Sequence, residues 1–160
     1  MIHKLVLLLI LTLFNSCMKN DDSINNSKVF AFRLKPGQDL KEEIMNFAKA
    51  NKIEAGYIIT CVGSLKKANL RLANQPNTQI FDEKFEIVSL VGTFSGSSGG
   101  HFHISISDSK GKTIGGHLAE GNIIYTTAEI VIGEITDVKF LRKLDSATTF
   151  NELYIEKKID

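Results

Sequence analysis

From Lys84 to the carboxyl end the sequence reads almost entirely as strands. "KFEIVSLVGTF", "HFHISIS", "TIGGHLAE", "NIIYTTAEIVIGEI", "VKFLRKL" and "ELYIEKK" carry β-branched and aromatic residues at largely alternating positions, separated by short polar or glycine-containing breaks. A period of two turns one set of side chains to a core and the other to solvent. Upstream, "KVFAFRL" (Lys28–Leu34) is a further strand, closed by the turn residues "KPGQD". A helix follows, with Asp39 as N-cap, Glu42 three residues later, and Leu40, Ile44, Phe47 and Ala48 on one face before Asn51 stops it. "EAGYIITCVGSL" reads as a strand and "KKANLRLANQ" as a returning one. One helix with seven or eight strands predicts an α+β domain on a curved, mostly antiparallel β-sheet, curled or split into two layers.

At 160 residues the chain suits one domain, and 23% charged residues with a net charge of +1 fit an ordinary globular protein rather than a nucleic-acid-coating one. The amino-terminal segment departs from this picture. "MIHKLVLLLILTLFNSC" sets Lys4 before an apolar run from Leu5 to Leu11 and a polar approach to Cys17, the pattern of a signal peptide over residues 1–17. The run is shorter than the roughly 20 residues that span a bilayer. Its junction resembles a bacterial lipobox, in which the Cys17 thiol would be lipidated, although Phe14 and Asn15 depart from the residues usual there. Secretion without lipid is the next reading and an uncleaved anchor the last. Residues 18–27 are polar and asparagine-rich and read as a tether, leaving 28–160 as the folded domain. The expected location is therefore the cell envelope, lipid-anchored to a membrane. With Cys17 acylated, Cys61 is the one remaining thiol, and in "YIITCVG" it reads as a core residue.

Three of the four histidines fall between Gly99 and Gly121. In a strand, His101 and His103 share a face about 7 Å apart along the backbone, while Phe102, Ile104 and Ile106 take the core face. Whether His117 joins them depends on the turn. A two-residue loop at Ser109 and Lys110 would send His117 to the wrong face. A three-residue loop "SKG", with Gly111 in the left-handed position, sets His117 opposite His103 and Ile114 opposite Ile106. The position of Gly111 favours the second register. Gly115 and Gly116 are expected to leave room for a ligand beside His117. From spacing alone two readings stand: a three-histidine zinc site with an open fourth position, or a solvated histidine face.

"RLKPGQDL", "CVGSLKKANLRLAN", "FEIVSLVGTF", "HFHISISDSKGKTIGGHLAEG" and "TTAEIVIG" resemble, in order, the plants and prokaryotes conserved (PPC) domain family. That resemblance implies an α+β fold assembled as a homotrimer, with His101, His103 and His117 as ligands of a metal, usually zinc. Plant relatives carry AT-hooks and act on AT-rich DNA; this chain has no Arg-Gly-Arg hook, so DNA binding transfers poorly and stands only as an alternative, beside a non-catalytic trimeric scaffold. A more distant resemblance is to acetolactate decarboxylase, whose zinc is also held by a histidine pair and a third histidine downstream. A three-histidine zinc polarises a carbonyl or lowers the pKa of water to about 7, so an enzyme of this type would be a zinc-dependent lyase or hydrolase acting on a small polar molecule.

Further side chains were candidates for the same site. Glu129 lies on a strand opposite in face to Ile130 and Ile132, and reads either as a catalytic base or histidine partner, or as an exposed edge carboxylate. Arg33 and Arg71 interrupt apolar strands; they read as substrate-binding residues for an anion or as bridges between subunits. The loop "SGSSGG" is expected to be a flexible flap before the histidine strand.

Overall fold

A computed structural model describes residues 26–159, so the signal segment, Cys17 and most of the tether lie outside the described residues. Nine strands and one helix follow in chain order: β1 (Ser27–Leu34), α1 (Leu40–Ala50), β2 (Gly56–Arg71), β3 (Gln79–Phe81), β4 (Phe85–Ser95), β5 (Gly99–Ser107), β6 (Thr113–Leu118), β7 (Ile123–Ile135), β8 (Val138–Leu144) and β9 (Asn151–Lys157). The first seven strands form one antiparallel sheet in the order β1-β7-β2-β4-β5-β6, with β3 on β2. The end of β2 also pairs β6, so the sheet curls back on itself rather than splitting into two layers. Strands β8 and β9 make a separate two-stranded hairpin.

The sequence expectation of two strands between Glu54 and Gln75 is corrected here, because β2 is one 16-residue strand. Gly63, inside the first of the two expected strands, sits at a bulge. Its φ is +153°, and a Cβ there would sit 2.1 Å from Thr127 O. Register shifts against β7 on either side of Gly63 let one strand bend without stopping, which is how β2 pairs β7 along much of its length and reaches β6 at its end.

Alternation sorts the core as expected. Phe102, Ile104 and Ile106 of β5, Ile130 and Ile132 of β7, and Cys61 of β2 are buried. Helix α1 covers this face through Leu40, Ile44 and Ala48, while Phe47 stacks on Phe32 of β1 at 4.1 Å between ring centroids. Each fully buried aliphatic side chain contributes about 2 kcal/mol. The cap is as the sequence implies: Asp39 Oδ1 accepts from Glu42 N at 3.0 Å.

The "SGSSGG" segment is not a flap. Ser95 pairs with Gly99 across a tight β4–β5 turn, and Gly96 N donates to Ile53 O at 2.8 Å. A Cβ at Gly96 would come 2.8 Å from Ala48 O, so glycine serves close packing of the turn against the end of α1.

Candidate metal centre

The β5–β6 connection determines which histidines meet. Asp108 N donates to Lys112 O, Gly111 N donates to Asp108 O, and Gly111 has φ +79° with nothing within 4 Å of a would-be Cβ. This is the three-residue loop anticipated from the sequence, further tied by Asp108 Oδ1 accepting from the amides of Lys110 and Lys112. His103 consequently lies opposite His117, and Ile106 opposite Ile114.

The three imidazoles converge. Each offers a ring nitrogen to a cluster whose members all lie within 4.8 Å of one another. His101 Nε2 and His103 Nε2 are 3.1 Å apart. Two nitrogens on one tetrahedral zinc, each at 2.0–2.1 Å, are separated by about 3.3 Å, so this pair is already spaced for a shared ion. The His117 Nδ1 atom is buried and has no hydrogen-bond partner. An orphaned buried acceptor or donor is costly unless something else satisfies it.

The electrostatics keep lone pairs available. Burial, followed by the neighbouring His101, Arg71, Lys41 and His103, pushes the His117 imidazole down to about 4. Burial, with His103 and Arg142 beside it, also lowers His101. Both rings are therefore neutral at pH 7, the form in which imidazole binds metals.

Gly115 and Gly116 do not open space for a ligand. A Cβ at Gly115 would lie 2.8 Å from Ile104 O, and one at Gly116 would lie 2.8 Å from Arg71 O. These glycines admit the backbones of β5 and β2, and so hold His117 between its two neighbouring strands.

Arg71 is the cross-strand partner of His117 and lines a cavity of about 560 Å³ beside the histidines. The other two candidates are elsewhere. Arg33 faces Glu129 across the β1–β7 pair on the outer surface, and β2 and β4 separate β7 from the histidine strand β5. Within one chain, Glu129 and Arg33 are partners of each other, not of the histidines. Local alternation placed Glu129 on the polar face but carried no information on strand order.

The cavity has a wall that sequence reasoning did not identify. Arg142 of β8 and Phe150, Asn151 and Glu152 of the β8–β9 loop and β9 complete its lining. Arg142 Nη2 donates to Thr93 O and Thr93 Oγ1, both at 3.1 Å, and Thr93 is the cross-strand partner of His101. One signal existed: Arg142 shares a strand face with Phe140, which is buried, so that face had to dock on something.

Residues 22–136 match the Plants and Prokaryotes Conserved (PCC) domain. The chain is 45% identical over 130 residues to the bifunctional protein GlmU of Synechococcus sp. (strain JA-3-3Ab), a match covering 81% of this chain. It spans about a fifth (21%) of that relative's length. A hypothetical protein of Salmonella superposes with a TM-score of 0.82 at 35% identity, covering 84% of this chain and 96% of that one. A metal-containing protein of Archaeoglobus fulgidus superposes with a TM-score of 0.70 at 25% identity, covering 79% and 93% respectively. The curved antiparallel sheet with its single helix, and a domain match over most of the chain, place this protein in the Plants and Prokaryotes Conserved domain family.

Proposed function

We propose that this is a metal-binding PCC-domain protein in which His101, His103 and His117 hold one divalent transition metal, zinc by preference, beside a cavity that receives a small polar molecule. The observation that carries this reading is the convergence of one ring nitrogen from each of the three histidines; the unpartnered buried Nδ1 of His117 is in keeping with it. An all-imidazole donor set suits zinc, and also copper, iron or nickel. The metal-containing relative from Archaeoglobus fulgidus supports it. When bound with an open position, such an ion supplies a Lewis acid, the chemistry of a lyase or hydrolase. The chain's own contribution is positional: β5 presents His101 and His103, the three-residue loop returns His117 to them, and Arg71 stands next to His117.

Elemental analysis of the purified protein and of His103→Ala tests this. About one equivalent of metal in the wild type, lost in the variant, is expected; less than about one-third of an equivalent in the wild type overturns it.

Two further elements belong to the same reading. Exposed Val62, Val88 and Val91 on the outer sheet face support self-association, as a homotrimer by family resemblance. Light scattering measures that state directly. The apolar run and Cys17 support attachment to the cell envelope. Cys17→Ser is then expected to release the protein from the membrane fraction.

A further inference from the structure

Beyond the histidines, the cavity has a charge pattern of its own. Its lining brings together two guanidiniums, Arg71 and Arg142, and one carboxylate, Glu152. They come from two distant parts of the chain: Arg71 from the end of β2, and Arg142 and Glu152 from the two strands of the β8–β9 hairpin. The two guanidiniums outnumber the one carboxylate, before any metal is added.

The wall is fixed to the sheet. Phe140 of β8 is buried, and its amide donates to Glu54 O at 2.9 Å. Lys158 Nζ reaches Glu54 Oε2 at 2.7 Å just beyond β9. Arg142 spends one terminal nitrogen on Thr93. A guanidinium has five N–H donors, so the donors on Nε and Nη1 of Arg142 remain for a ligand after those bonds. Glu152 Oε1 accepts from Thr148 Oγ1 at 3.0 Å, which ties that carboxylate to its own hairpin loop.

We propose that this cavity binds a small molecule bearing an oxyanion, a carboxylate or phosphate held between Arg71 and Arg142, with the rest of the molecule directed at His101 and His117. The fork geometry of guanidinium matches both oxyanions, which a lysine would meet only as a point charge. About 560 Å³ is the size of a site for a molecule on the scale of a metabolite. Residues 138–157, beyond the part of the chain that matches the family domain, thus act as a specificity element for that domain's histidine site. The proposal rests on the metal reading for the far end of the ligand, but its anion end is testable without metal.

Calorimetric titration of the purified full chain with inorganic phosphate and, separately, with succinate makes the test, on metal-stripped and metal-loaded samples. Saturable binding of at least one probe is expected below about 20 mM, weakened about tenfold or more by Arg71→Gln and by Arg142→Gln. Lys143→Gln removes the same charge from the other face of β8 and is expected to change affinity less than about twofold. Thermal melts establish that each variant is folded. Response to phosphate alone identifies a phosphorylated ligand class, and response to succinate alone a carboxylic acid. The proposal is overturned when neither probe saturates, when folded Arg142→Gln binds like the wild type, or when Lys143→Gln is as damaging as Arg142→Gln. Anion binding that depends on Arg142 in a protein that takes up no zinc even when zinc is supplied overturns the metal reading and keeps this one. One equivalent of metal without anion binding does the reverse.

Discussion

Asp39 and Asn122 stand 83 positions apart and meet through a 3.0 Å hydrogen bond from the Asn122 amide to Asp39 Oδ2. The other Asp39 oxygen caps helix α1, so one carboxylate joins the helix to the β6–β7 connection. Asn122 extends the link: its Oδ1 accepts from Asn69 N, and its Nδ2 donates to Asn69 O and Ala119 O. A fully buried side-chain amide thus clamps β2 against the chain just past β6, two residues from His117 at Ala119.

Asn122→Ala leaves the Asn69 amide and the Asn69 and Ala119 carbonyls without these partners. Its expected cost is on the order of 3 kcal/mol, read as a lowered midpoint in urea denaturation. Asp39→Asn keeps the helix-cap acceptor but turns its NH2 toward the amides of Gly121 and Asn122, and is expected to cost about 2 kcal/mol. If Asn122→Ala melts with the wild type, the clamp carries no weight.

Two glycines with positive φ separate conformational freedom from packing. At Gly111, φ is +79° and a Cβ meets open space, so Gly111→Ala is expected to cost about 1 kcal/mol and to leave the histidine register intact. At Gly63, a Cβ would collide with Thr127 O at 2.1 Å. Gly63→Ala must therefore move the backbone of β2 or β7, and a loss of roughly 3 kcal/mol or more is expected. Equal melting temperatures for the two variants would contradict this distinction.

Those glycines also mark where sequence reading succeeds and stops. Gly111 was legible because a three-residue loop is local: its length, the left-handed residue and the flanking alternation all lie within a dozen residues, and together they set His103 opposite His117. The bulge at Gly63 was not, since a glycine inside an apparent strand reads the same whether or not the partner strand shifts register alongside it. The same limit misplaced "SGSSGG", whose Gly96 packs against Ala48 of α1 and Ile53 just beyond it. For Glu129 alternation gave the exposed face but not the neighbours, because β7 inserts between β1 and β2 and alternation does not encode strand order. The Arg142–Thr93 contact depends on how the last hairpin docks, a long-range event that only buried Phe140 foreshadows.

Cys61 is buried, and desolvation pushes its thiol up to about 12. At pH 8 the thiolate fraction in the folded state is then about one in ten thousand, against roughly a quarter for an ordinary cysteine. Alkylation followed by peptide mass mapping is expected to leave Cys61 unmodified in native protein and to label it fully in denaturant. Rapid native labelling would show that the strand opens or that the thiol is not where β2 puts it.

Acid sensitivity has a local component at Glu54, where the last hairpin is tied down. Its hydrogen bond from Lys158, reinforced by the charges of Lys158 and Lys139 and opposed by partial burial, holds the carboxyl below its usual value of 4.5. A depressed carboxyl binds its proton more weakly in the folded state than in the unfolded chain. The stabilisation is accordingly complete above the unfolded value and disappears as pH falls from about 4.5 through the lower folded value. Glu54 is partly exposed, so the effect is small and screened by salt. In urea titrations at low ionic strength, Glu54→Gln should be less stable than the wild type at pH 6, with the gap closing toward pH 3. A gap that stays constant across that range would assign the loss to the neutral hydrogen bond rather than to the carboxylate charge.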